Sequence, residues 1–189
     1  MTRDYDVIVV GLGALGSGAA YWLAKAGAKV LGLEQFDLGH ERGSSHDWSR
    51  IIRLSYFSPA YVQLAKEAYA AWEALESDAA ERVVFKTGGL DIGPRGGAIP
   101  LASYSESMRA CDVYFEELDA DEIRRRWPVW QIGDDVHGLF QPESGIVAAD
   151  RATAVLRETA VKLGATLRAN TAVTRISADR AEIAVEAGG

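Results

Sequence analysis

The chain has 189 residues, enough for one sizeable domain or for a domain with a second lobe begun. Twenty basic residues against 27 acidic ones leave a net charge of −7, which argues against a nucleic-acid-binding surface. A single cysteine, Cys111, excludes a disulfide framework within the chain and fits a reducing, cytoplasmic setting.

Residues 7–24 carry no charged side chain, yet they do not read as a membrane span or a signal peptide. Gly11, Gly13, Gly16 and Gly18 break up the run, and the leader MTRDYD has two acids against one arginine. Residues 7–10, VIVV, instead predict a strand buried on both faces that stops at Gly11. Gly11, Gly13 and Gly16 have the GxGxxG spacing, which permits a tight turn, close approach of backbone to a pyrophosphate and close helix–strand contact.

A helix over 14–26 follows, with apolar Leu15, Ala19, Trp22, Leu23 and Ala26 near a 3.6 period and Gly27 as its stop. A second strand, 29–33, ends at Glu34, placed to accept hydrogen bonds from an adenosine ribose. The alternative is a buried βαβ unit with no ligand. Strand, glycines, helix, cap and acid in that order favour a nucleotide site, and a carboxylate at the ribose favours FAD or NAD over NADP.

Residues 35–57 are too long for an ordinary connection and rich in Gly, Ser, His and Arg. Gly43, Ser44 and Ser45 either offer amides and hydroxyls to a phosphate or flavin edge, or form a solvated turn. Arg50 and Arg53, three apart, would share a face of a helical turn with Ile51 and Ile52 buried beside them. They suit a substrate carboxylate, or else form a surface pair bridged to Asp47 or Glu41. His46 is open in the same way, and no metal-ligand spacing is present.

Further along, Ser58-Pro59 opens a helix with Tyr61, Leu64, Ala65, Ala68, Trp72 and Leu75 as its core stripe to Glu76. A strand over 83–92 is interrupted at Gly88-Gly89, a turn spans 93–97 and a helix spans 99–111. A short helix over 118–127 has Asp119 as cap and Glu122 in the capping-box position, with Arg124, Arg125 and Arg126 a solvated face. Residues 137–147 read as a strand pair or hairpin around 142–145; Asp150 caps a helix over 151–163; strands follow at 165–168, 172–177 and 182–185.

The runs DVIVVGLGALGSGAAYWLAKAG, GSSHDWSRIIR, TGGLDIGP, RWP, QPESGIV and NTAVTRI, in that order, resemble the N-terminal half of the monomeric sarcosine oxidase and N-methyl amino acid oxidase family. That family is FAD-dependent and falls within the D-amino-acid-oxidase-like group. SRIIR and the ESG turn are the most specific parts.

The resemblance implies an α/β fold: a Rossmann-like FAD-binding domain over 1–82 and 143–189, with the start of a β-rich substrate domain inserted at 83–142, the whole an incomplete fold. It also implies an oxidase of N-methylated or secondary amino acids, with hydride transfer to flavin, imine hydrolysis and peroxide release. Gly11, Gly13 and Gly16 then hold the pyrophosphate and Glu34 the ribose. Ser44, Ser45 and His46 lie along the flavin loop, Ser49 and Arg50 beside the ring, Arg53 at the substrate carboxylate and Val173 at the adenine side.

Ser45, Trp48 and Ser49 depart from the residues common in the family. The family's covalent-flavin cysteine, its oxygen-activating lysine and a second cation lie in a part this sequence does not contain, and Cys111 does not match that cysteine. The expectation is therefore a fragment of low activity with exposed apolar sheet edges. Its partners would be a carboxylate-bearing amino acid, oxygen and a complementing polypeptide, with neither nucleic acid nor membrane involved. The rivals are a dinucleotide-binding subunit completed by a partner chain and an NAD-dependent dehydrogenase; the SRIIR block counts against the latter.

Overall fold

The computed structural model describes residues 4–178 and 183–188. They form two compact units, one of residues up to 49 with 78–80 and the residues from 148 on, the other of 50–77 and 81–147. The boundaries therefore fall at 49/50 and 147/148, which puts residues 50–77 with the segment expected to belong to the substrate domain.

The first unit is built on a parallel sheet in the order β1 (Val7–Val10), β2 (Val30–Leu33), β9 (Thr166–Arg168). Helix α1 (Ala14–Lys25) links β1 to β2 and packs against α5 (Ala149–Lys162). A two-stranded antiparallel ribbon, β10 (Ala172–Ala178) with β11 (Ile183–Gly188), follows. The predicted last strand began at Glu182, which lies outside the described residues.

The central strand β2 is buried at every position, as an apolar run bounded by polar residues should be when strands flank it on both sides. The prediction for β1 needs correcting. It is an edge strand, only partly buried, and Val10 is 52% exposed. Apolar content cannot tell a central strand from an edge one.

Helix α1 also turns a different face inward from the one predicted. Ser17, Ala20, Tyr21 and Ala24 are buried, whereas Leu15 is 92% exposed and Trp22 43%. The small residues allow close packing with α5, and the Tyr21 hydroxyl finds Asp78 at 2.8 Å, so an aromatic with a satisfied polar end replaces the larger aliphatic stripe.

In the second unit, α2 (Pro59–Ala79, its last two residues counted with the first unit) runs one turn beyond its predicted end. It buries Val62, Tyr69 and Leu75, leaving Tyr61 and Leu64 exposed. One sheet has the order β3 (Ser49–Ile52), β8 (Gly145–Ala148), β4 (Val84–Lys86); another has β5 (Gly89–Pro94), β7 (Val136–Gln141), β6 (Glu116–Asp119). Helix α3 spans Leu101–Ala110 and α4 spans Ala120–Arg126.

Two further expectations are corrected here. Residues 136–148 are not a hairpin: β7 pairs with β5 and β6, while β8 pairs with β4, so the 142–144 turn hands the chain from one sheet to another. Gly145 makes that transfer possible, because a Cβ there would stand 2.0 Å from the Phe85 carbonyl oxygen. Arg50 and Arg53 do not share a helical turn either; Ser49–Ile52 is a strand, with Ile52 buried and Ile51 77% exposed. β-Branched neighbours favour that conformation.

Asp119 does cap α4, accepting the Glu122 amide at 2.9 Å. The second half of the capping box is absent, because the Glu122 carboxylate is taken by Arg125 and Arg126. The three arginines thus form ion pairs: Arg124 with Asp121 and Asp134, Arg126 with Glu116 and Glu122. The α5 N-cap is Ala148, with Asp150 in the first turn. No helix among the described residues is long and apolar enough to cross a membrane.

Candidate functional site

A cleft of about 840 Å³ opens within the first unit at the carboxyl ends of β1 and β2. Its walls come from the glycine turn, Glu34, the loop over 35–46, the stretch of α5 from Asp150 to Arg157 and the 171–173 stretch. The carboxyl edge of a parallel sheet is where α/β proteins bind ligands, because strands end there and helices begin.

The turn itself is set by backbone requirements. Gly11 has φ +86° and donates its amide to the Leu33 carbonyl at 2.8 Å. Gly16 brings α1 against the turn: a Cβ there would lie 1.8 Å from the Gly11 oxygen. Gly13 is the N-cap of α1 and offers no side chain to cap it; the Ser45 hydroxyl accepts the Ala14 amide instead, at 2.9 Å. The start of α1, with its positive dipole end, thus lies at the cleft wall that Gly13 lines, which suits a phosphate.

Leu12, between two of the glycines, is held at both ends of its backbone. Its amide donates to Glu34 Oε2 at 2.8 Å, and its carbonyl accepts from Ser17 Oγ at 2.7 Å and Arg157 Nη1 at 3.2 Å. Its side chain, 2% exposed, lies over Gly32, where a Cβ would meet the Leu12 methyls at 2.8 Å.

Glu34 is buried at the end of β2; its Oε1 also accepts the Phe36 amide at 3.2 Å, and His40 Nε2 stands 3.4 Å from that same oxygen. Burial alone would raise its pKa. The amides of Leu12, Phe36 and Gln35 and the charge of His40 outweigh burial, so the carboxyl sits below its ordinary value and is ionised at neutral pH. His40 Nδ1 accepts the Arg42 amide, leaving Nε2 to face Glu34. The Arg42 guanidinium stacks 4.4 Å from the Phe36 ring.

Of the residues singled out in the sequence, Gly11, Gly13, Glu34, Ser45, His46 and Val173 line this cleft, and Gly16 supports it from beneath. His46 Nδ1 lies 2.6 Å from the Gly43 carbonyl, and the stretch after it is pinned to the start of α5, where the Asp150 and Ala149 amides donate to the Asp47 and Trp48 carbonyls. Asp47 has φ +108°, a rarely adopted backbone for a side-chain-bearing residue. Ser44 and Ser49 are exposed and are not among the cleft residues.

Arg50 and Arg53 belong to the second unit. Arg53 pairs with Asp91 at 2.9 Å, and Asp91 also accepts the Ser55 hydroxyl at 2.5 Å. Leu12, His40, Arg42, Asp150, Thr153 and Arg157 escaped the sequence reading. Leu12 acts through its main chain and could not have been found. Asp150, Thr153 and Arg157 are polar at i, i+3 and i+7 on one face of α5, but only the fold sets that face against the glycine turn.

The residues fit an adenine dinucleotide. The turn and helix start receive negative phosphate charge, the ionised Glu34 is an acceptor for hydroxyls, and the volume is in the range of small-molecule sites. Among the described residues no group of three His, Cys, Asp or Glu is placed to hold a metal ion.

Known proteins agree with this geometry. Monomeric sarcosine oxidase of Streptomyces avermitilis is 41% identical over 176 residues, covering 93% of this chain and 46% of that protein. N-methyl-L-tryptophan oxidase of Yersinia pestis is 32% identical over 183 residues, covering 96% of this chain and 49% of that protein. The solved structure of the Tyr258Phe mutant of NikD, an unusual amino acid oxidase, matches with a TM-score of 0.85 at 32% identity, over 98% of this chain and 48% of that one. The chain thus spans about half the length of the relatives it matches. The family model described as FAD dependent oxidoreductase matches residues 6–189, and this chain belongs to that family, DAO.

Proposed function

We propose that this chain carries the FAD-binding part of an oxidase of N-methylated or secondary amino acids, working on a carboxylate-bearing substrate with oxygen as acceptor in a reducing, cytoplasmic setting. The observation that carries the reading is the Leu12 peptide fixed between Glu34 on its amide and Ser17 and Arg157 on its carbonyl, which holds the glycine turn in a phosphate-receiving shape. Identity of 41% and 32% to two amino acid oxidases supports the substrate class.

FAD, when bound, supplies a two-electron acceptor for the hydride equivalent leaving the amine carbon. Gly11, Gly13 and Gly16 shape the diphosphate seat, the α1 amides and dipole offset its charge, and Glu34 holds the ribose. Val173 offers main chain to the adenine side, and Ser44, Ser45, His46 and Ser49 follow the flavin loop. Arg53 orients the substrate carboxylate with its planar fork, Asp91 and Ser55 holding that fork in place beforehand. Arg50 supplies positive charge beside the electron-rich reduced ring.

The domain assignment follows the same reading: residues 1–82 and 143–189 for FAD and 83–142 for substrate, with the compact-unit boundaries shifting 50–77 toward the latter. A complementing polypeptide has support in the outer side of β1, which no strand among the described residues pairs with, and in exposed Val10.

The test is expression within the full reading frame, a visible spectrum, and a peroxide assay over a panel of N-methyl and cyclic amino acids. A flavin spectrum with peroxide released from at least one such substrate is expected. A colourless protein that needs added NAD would overturn the reading.

A further inference from the structure

The wall of the cleft supplied by α5 contains a cation that the residues around it do not neutralise. Asp150, Thr153, Ala154 and Arg157 lie on one face of that helix and line the cleft together. Arg157 is half-buried. Its Nη1 reaches the Leu12 carbonyl at 3.2 Å, and its Nη2 is 3.9 Å from where a Gly39 Cβ would stand, so the guanidinium spans from the glycine turn to the loop after β2.

A guanidinium has five N–H donors, and among the described residues Arg157 makes one hydrogen bond and no ion pair. Glu34, Asp150 and Glu158 act on it only from a distance, and burial pushes its pKa down, so the cation is being held in a site that disfavours its charge. Among the described residues Glu34 makes neither a hydrogen bond nor an ion pair with it; its oxygens accept the Leu12 and Phe36 amides. A planar fork with unfilled donors, fixed beside a turn shaped for phosphate, is matched by an anion with paired oxygens.

We infer that Arg157 contacts the cofactor, donating to the diphosphate of bound FAD while its Nη1 holds the Leu12 carbonyl. This rests on the FAD reading and adds a second source of positive charge, from α5, to the helix start of α1. A role confined to supporting Leu12 would affect every adenine ligand equally, whereas a diphosphate contact separates ligands by their phosphate.

The experiment compares the full chain with Arg157→Gln and Arg157→Lys, titrating ADP by calorimetry and adenosine by saturation-transfer NMR. The expected result is at least a tenfold loss of ADP affinity in Arg157→Gln, a smaller loss in Arg157→Lys and adenosine binding within twofold of the parent. Unchanged ADP affinity, or an equal loss for adenosine, overturns the inference. Should Arg157→Gln fail to fold, phenylglyoxal labelling of the unsubstituted chain decides: ADP protects Arg157 if the contact exists, and leaves it reactive if it does not. An unsubstituted chain that binds neither ADP nor FAD overturns the FAD reading itself, and the inference with it.

Discussion

Glu34 Oε2 accepts the Leu12 amide at 2.8 Å, so the acid that ends the second strand is fastened to the turn that ends the first. The two features usually read as separate parts of a nucleotide fingerprint are one mechanical unit here. Glu34→Gln removes the charge from a buried acceptor of two amides. A loss of ~1–3 kcal/mol in stability is expected, together with weaker FAD binding. Urea midpoints and flavin fluorescence quenching check both; an unchanged midpoint would separate Glu34 from the turn.

The same carboxylate predicts an acid-side dependence. Its pKa is lower folded than the ordinary value of 4.5, so its stabilising contribution is complete above about 4.5 and disappears as pH falls through the folded value. Glu34→Gln should make the fall in stability below that pH shallower than in the parent. Parallel curves of melting temperature against pH would contradict this.

Gly13 and Gly16 should respond differently to alanine. At Gly13 the new methyl meets only the Ser45 side chain, its hydroxyl at 2.9 Å, which can rotate away at the cost of its bond to the Ala14 amide; at Gly16 it meets the Gly11 backbone at 1.8 Å. Gly16→Ala is expected to cost at least ~1–3 kcal/mol, the usual range for overpacking, while Gly13→Ala stays folded and loses FAD affinity. Circular dichroism melts and FAD titrations distinguish the two.

Arg53 and Asp91 form a pair with side chains about a quarter to a third exposed. Its worth to stability should be small, within ~1 kcal/mol. Arg53→Ala is expected to raise KM for every carboxylate substrate in the panel while leaving the melting temperature almost unmoved. Michaelis constants at the parental value would remove Arg53 from substrate binding.

Asp119 offers a control away from the cleft. Asp119→Ala deletes the N-cap that receives the Glu122 amide, and a loss of ~1 kcal/mol in denaturant stability with no change in FAD affinity is expected. A fall in FAD affinity would show that α4 influences the cleft.

Signals with a strict local geometry were the ones that could be read in advance. GxGxxG, the Asp119 cap and the stops at Gly27 and Gly164, both with positive φ, each depend on a single backbone conformation that few residues supply. Signals that depend on neighbours were not. Leu15 looked like core and is on the surface, because which face of α1 is buried is decided by α5, over 100 residues away. SRII could have been helix or strand until β8 paired with it. The glycine turn and the acid of the cleft were legible in Gly11, Gly13 and Glu34, and Ser45, His46 and Val173 came with the family resemblance, but Arg157 was hidden within a helix that only the fold brings back to the turn.

Titration of FAD into the protein expressed within its full reading frame, followed by flavin fluorescence, tests the central claim most directly. Saturable one-to-one quenching that weakens at least tenfold in Glu34→Gln is the predicted result. A protein that folds normally and leaves flavin fluorescence untouched at every concentration would contradict it.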